Sequence, residues 1–113
     1  DRRHVVDFYE HFTHTWKLLN SGKVAWTGRR LICINEDSIT PCAMQLSIDI
    51  PDTAPNERAV VSVEFDARGN EDTFESKWVM VDKDNKDCYP DYSSPFNVTI
   101  VVENKTFKRS GGN

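Results

Sequence analysis

The chain has 113 residues, 38% of them hydrophobic and 28% charged, with a formal net charge of −4 at pH 7. That length fits one domain whose core buries roughly 65% of the surface its unfolded form exposes, and the composition excludes a wholly disordered chain. Interspersed charges of net negative sign exclude the basic stripe of a phosphate-tracking nucleic-acid binder, and no apolar run nears the roughly 18 residues of a membrane span.

The predicted elements all follow a period of two. His4 to Tyr9 is a weak candidate, expected as an edge strand. From Phe12, the residues Phe12, His14, Trp16 and Leu18 share one face, with Thr13, Thr15 and Lys17 on the other. Asn20-Ser21-Gly22 then turns the chain, and Thr27-Gly28 follows Trp26. Arg30 to Ile34 is a short apolar run fit for a strand. Met44, Leu46, Ile48 and Ile50 alternate with polar residues until Pro51 stops the pattern. Val61, Val63 and Phe65 form the next inward series, and Phe74, Ser76, Trp78 and Met80 the one after it. A long polar stretch from Asp82 to Ser94 precedes the last series, Phe96, Val98, Ile100 and Val102. About seven antiparallel strands with turns at short spacing predict an all-β, Ig-like β-sandwich over residues 4–104. The Cys–Trp–Cys spacing of antibody domains is missing, so no inter-sheet disulfide is expected, and residues 105–113 read as a flexible tail.

Three cysteines, Cys33, Cys42 and Cys88, are an odd set without a CxxC pair, which favours reduced thiols in an intracellular, cytoplasmic protein. Two Asn-x-Thr sequons, at Asn97 and Asn104, would matter only in a secreted eukaryotic protein. His11 and His14 project to opposite faces of a strand and cannot readily share a metal; His4 could join one of them, but no Cys or carboxylate stands at ligand spacing. The Asp82–Asp87 loop fails as a calcium site, because Lys86 takes a ligand position, Asp87 stands where the loop needs Gly, and Ser93 replaces the bidentate Glu. No metal or cofactor is therefore expected. Without a nucleophile elbow, a Gly-rich phosphate loop or an activating motif beside a cysteine, the chain is not expected to be an enzyme.

What remains is surface. Trp26, Tyr89, Tyr92 and Phe96 fall in or beside turns, where aromatic residues either plug the end of a sandwich or present rigid contact area. Trp16 and Trp78 fall mid-strand on apolar faces and read as core.

The spacing Phe12-x-x-x-Trp16-x-Leu18-x-Asn20-x-Gly22-x-x-x-Trp26 resembles the opening of the FW (four-tryptophan) domain, the Ig-like module of Neighbor-of-BRCA autophagy receptors and of many bacterial proteins. Ala54 to Val63, Glu75 to Met80 and Phe96 to Val102 resemble later strands of that family in the same order, so the likeness covers roughly residues 5–103. The chain departs from the pattern in having three tryptophans, Pro55-Asn56 in place of Pro-Gly, Ala67-Arg68 in place of Ala-Pro, and its own Lys86–Tyr92 loop.

The resemblance implies a non-catalytic module that binds a partner protein or peptide, excised from a larger multidomain cargo receptor or bacterial regulator. The first expectation is a pocket around Trp26, Tyr89 and Tyr92, with Asp87 and Asp91 favouring a basic partner. On that reading, truncating Trp26 or Tyr92 removes binding and leaves the unfolding midpoint nearly unchanged. A peptide added to an exposed edge strand is the other mode, and edge strands also allow pairing into a homodimer. An extracellular or envelope module, binding carbohydrate or spacing other domains, is the alternative from a different class.

Overall fold

The computed structural model describes residues 2–91 and 95–105. Its regular elements are strands: β1 (Arg3–Asp7), β2 (His11–Leu19), β3 (Arg30–Cys33), β4 (Cys42–Ala43), β5 (Ser47–Asp49), β6 (Arg58–Asp66), β7 (Asp72–Ser76), β8 (Trp78–Val81) and β9 (Val98–Glu103). One layer has the order β2-β6-β4. The other is built from β1-β9-β7 and β8-β3-β5, which run on into each other because only Lys77 separates β7 from β8. Together they form an Ig-like β-sandwich, and all three cysteines are free thiols.

The period-two series set which face each strand buries. In β6, Ala59, Val61, Val63 and Phe65 are buried while Arg58, Val60, Ser62 and Glu64 are exposed. Opposite it in register, β2 buries His14 and Trp16 and half-buries Phe12 and Leu18. Trp16 meets Trp78 of the other layer edge to face at 5.3 Å between centroids, and Phe65 meets Trp78 at 6.4 Å. These contacts close the sandwich around an aromatic centre. Both indoles find acceptors: Trp16 Nε1 donates to the Phe96 carbonyl at 3.1 Å and Trp78 Nε1 to Ser76 Oγ at 2.7 Å.

Two expected strands are broken, each where the chain changes partners. The Met44–Ile50 series splits, because Met44 N–H donates to Glu64 of one layer while the Leu46 carbonyl accepts from Cys33 of the other. Across that switch the alternation lapses, leaving Met44 and Leu46 each 48% exposed while Ile48 and Ile50 stay buried. The Phe74–Met80 series breaks at Lys77, where β7 leaves β9 and β8 joins β3. Asn35 clamps the break, accepting from Lys77 N–H at 2.8 Å and donating to the Glu75 carbonyl at 2.7 Å.

The pairings are antiparallel except one, since β1 lies parallel to β9 at the edge of its layer. No hairpin links strands so far apart in sequence, so no turn dictates their direction. Lys105, expected in the flexible tail, is tied back through its N–H to Asp7 and through Nζ to the Val5 carbonyl. The remainder of that tail, 106–113, lies outside the described residues.

Candidate functional site

The Asn20-Ser21-Gly22 turn is built around a buried side chain. Asn20 is 1% exposed, and both its amide hydrogens are used, donating to the carbonyls of Val24 and Thr53 at 3.0 Å each. Its Oδ1 accepts from Gly22 N–H at 3.1 Å, so the buried amide is satisfied on both sides. This brings the 20–26 segment against Thr53, which exchanges two backbone hydrogen bonds with Trp26, at 2.8 and 3.0 Å. Past Trp26, Gly28 takes φ +65°, a left-handed conformation that lets the chain turn into β3.

That turn places Trp26 at the end of the sandwich with 5% of its surface exposed. A side chain so covered argues against the sequence expectation that its truncation would leave stability unchanged. Arg29 lies over the indole, its Cζ 5.6 Å from the ring centroid, a cation–π arrangement. Tyr89, half-buried, tilts against Phe96 at 6.1 Å between centroids. Trp26 and Tyr89 thus come together as expected, along one groove. Tyr92, the third member of the expected pocket, lies outside the described residues.

The groove has a volume of about 390 Å³ and runs between Leu18 and Leu19 of β2, Trp26, Tyr89 and Phe96. A second hollow of about 340 Å³ continues it along β2, sharing Lys17, Leu18 and Pro95 and adding Arg2, Thr15 and Trp16. A third, of about 300 Å³, lies on the other side of Trp26 beside Lys23, Val24 and Arg29. No carboxylate side chain lines any of the three, while four cations do: Arg2, Lys17, Lys23 and Arg29. Asp87 and Asp91, expected to give the pocket an acidic character, are exposed and line none of these three hollows, but Asp87 lines a small fourth one of about 30 Å³ that shares Tyr89, Pro95 and Phe96 with the groove. The Asp87 carboxylate is used locally, accepting from Tyr89 N–H at 2.8 Å.

Lys17, Lys23 and Arg29 follow one another along the stretch from β2 to β3, but nothing in their spacing shows that they and Arg2, ahead of β1, face one set of hollows. Only the placement of Lys17 on an outward strand position was legible.

The remaining titratable groups make local contacts, and one of them, His14, also lines the second hollow. Among the described residues no group of three or more His, Cys, Asp or Glu side chains could hold a metal. His14 is 2% exposed, and its Nδ1 lies 2.9 Å from His4 Nε2. Burial, reinforced by the neighbouring His4, pushes its pKa down to about 4. His11, on the opposite face, bonds the Glu64 carboxylate at 2.9 Å, which raises its pKa. Asp82 folds its own loop, accepting from Asp84 and Lys86 N–H groups. Asn97, in one sequon, is occupied on both sides by Trp78 N–H and Glu75 Oε1.

An aromatic-centred sandwich of two layers, closed at one end by a turn-borne Trp, defines an Ig-like domain without the central disulfide. The profile of the family described as "Ig-like domain from next to BRCA1 gene" matches residues 2–102, and the chain belongs to that family. A search of curated proteins returns no significant match.

Proposed function

We propose that this domain is a protein-interaction module that binds a partner polypeptide in the groove beside Trp26, and that it acts by binding rather than by catalysis. The observation that carries the reading is the groove itself: about 390 Å³, lined by aliphatic and aromatic side chains at the turn that the family motif builds. Leu19 in its lining is 47% exposed, and Val24, in the hollow across Trp26, is 72% exposed, apolar surface of the kind an interface covers.

The chemistry of the remaining groups supports a non-catalytic role. His11 and its carboxylate partners sit on an exposed strand face rather than in a hollow, and burial pushes the Cys88 thiol up, away from the thiolate a nucleophile needs. Three free thiols favour a reducing, cytoplasmic setting. Family membership supports a place in a longer protein whose other parts set the biological context. Carbohydrate binding is less well supported, because all three tryptophans are at most 5% exposed and none offers a ring face for a sugar to stack on.

Photo-cross-linking tests the reading. A photoreactive residue at Leu19 should capture a discrete protein partner, while one at Ile34, exposed at the far end of β3, should not. Equal capture at both positions, or none at either, would overturn the assignment of the groove.

A further inference from the structure

The groove runs beside a strand that, among the described residues, has one side unpaired: β2 is the outer strand of its layer and is bonded there to β6 alone. Just beyond its ends, Glu10 accepts from Ala67 N–H and Asn20 N–H donates to Glu57, so the even-numbered residues of β2 turn their backbone groups toward β6. By the same alternation, Thr13, Thr15, Lys17 and Leu19 direct their N–H and C=O groups outward, and among the described residues none of these groups takes part in a backbone hydrogen bond outside the β2–β6 ladder. That edge is nine residues long and flat in register, without the bulge or proline that usually blunts an exposed strand.

Resting on the reading of this groove as a protein-binding site, we infer that the partner binds as an added strand along the free edge of β2, through an extended segment that alternates apolar and acidic residues. The alternation follows from the two sides of the edge. Side chains directed inward from an added strand meet the hollows beside Trp16, Leu18 and Phe96. Those directed outward lie alongside Lys17, with Arg2 beside the stretch from His14 to Leu18 and Lys23 beyond the Leu19 end. The ion pairs found among the described residues belong to His11, with Glu64 and Asp66, so these three cations have no carboxylate partner there. A chain of net charge −4 that nonetheless sets Lys17 and Arg2, the latter donating to the Pro95 carbonyl at 3.0 Å, along one strand edge attracts acidic polypeptide to that edge. A phosphate polymer would match the charge but would leave the backbone donors and acceptors of the edge without a ladder partner.

Selection of a random peptide library on the folded domain, followed by amide exchange measured by NMR, tests the inference. The selected peptides should carry acidic residues at alternate positions. Their binding should slow exchange of the Thr13, Thr15 and Lys17 amides, while the amides of Phe12, His14 and Trp16, already in the β6 ladder, change little. Methylating every second peptide amide should weaken binding about tenfold or more, since it removes the ladder donors. Thr15→Pro, which blocks an outward N–H and also gives up the 2.8 Å bond between Thr15 Oγ1 and Ser62 Oγ, should do the same, with Thr15→Val as the control for the lost hydroxyl, and paired Arg2→Glu and Lys17→Glu changes supply a charge test that leaves the backbone intact. Selected peptides that are basic, or that bind without protecting those three amides, would overturn the strand-addition inference while leaving the groove assignment in place. A library that yields no binder, with cross-linking still specific to position 19, would likewise overturn this inference alone.

Discussion

Asn20 reaches across 33 positions of sequence to donate a 3.0 Å hydrogen bond to the Thr53 carbonyl, and that bond ties the family's turn motif to the segment on which Trp26 rests. Replacing Asn20 by Ala would remove one of the two donors to the Thr53 carbonyl, which keeps the Trp26 N–H, and would release the Val24 carbonyl and the Gly22 N–H, both on exposed residues, to water. The expected loss is about 1–2 kcal/mol, the net worth of hydrogen bonds that water partly replaces. Urea unfolding monitored by tryptophan fluorescence measures it, and a loss below about 0.5 kcal/mol would show that the turn holds without its amide.

Trp26 belongs to the core as much as to the groove. Trp26→Ala should cost about 3–5 kcal/mol and lower the thermal midpoint steeply, with Trp26→Phe costing less because most of the ring contact survives. Calorimetry decides between this and the sequence expectation of an unchanged midpoint. A consequence for binding studies is that Leu19→Asp, at a 47% exposed rim position, tests the groove more cleanly than truncation of the indole.

Acid should destabilise the domain through His14. Its folded-state pKa of about 4 lies below the ordinary value of 6.5, so between those limits the unfolded chain takes up a proton that the folded one refuses. The contribution is fully present above pH 6.5 and is lost as pH falls toward 4, by about 3 kcal/mol in all. The lowered pKa of His4, also through burial, acts in the same direction. Chemical denaturation at a series of pH values should show the slope in wild type and a flatter profile in His14→Phe. Equal slopes in the two would mean that other groups carry the acid sensitivity.

Cys88 should be slow to alkylate. Burial raises its thiol pKa, with Asp82 and Asp87 adding to the effect against the opposing charge of Arg29. Mass spectrometry of iodoacetamide adducts as a function of pH should give a midpoint for Cys88 above the ordinary thiol value. A midpoint below it would point to an activating neighbour and reopen a nucleophilic role.

The sandwich was legible in the sequence wherever one strand kept one partner. Along β6 and β9 the alternation of apolar and polar residues maps directly onto burial. It failed for Met44 and Leu46, because a period of two assumes a single sheet and the chain there passes from one layer to the other. Trp26 was placed correctly at a turn and at the sandwich end, yet its burial was not legible, since that depends on Thr53, Tyr89 and the bridging amide of Asn20.

By itself, then, the sequence determined the local terms: which side chains alternate, where Asn, Gly and Pro turn the chain, and the spacing of Trp16, Asn20, Gly22 and Trp26 that marks the family. Only the tertiary structure decided that β2 keeps a free edge among the described residues, that Asp87 lines a neighbouring hollow rather than the groove itself, and that Arg2, Lys17, Lys23 and Arg29 line the groove and the hollows beside it. Those outcomes depend on which strands pair and on residues far apart in the chain meeting in space, and neither is encoded in any short stretch of it.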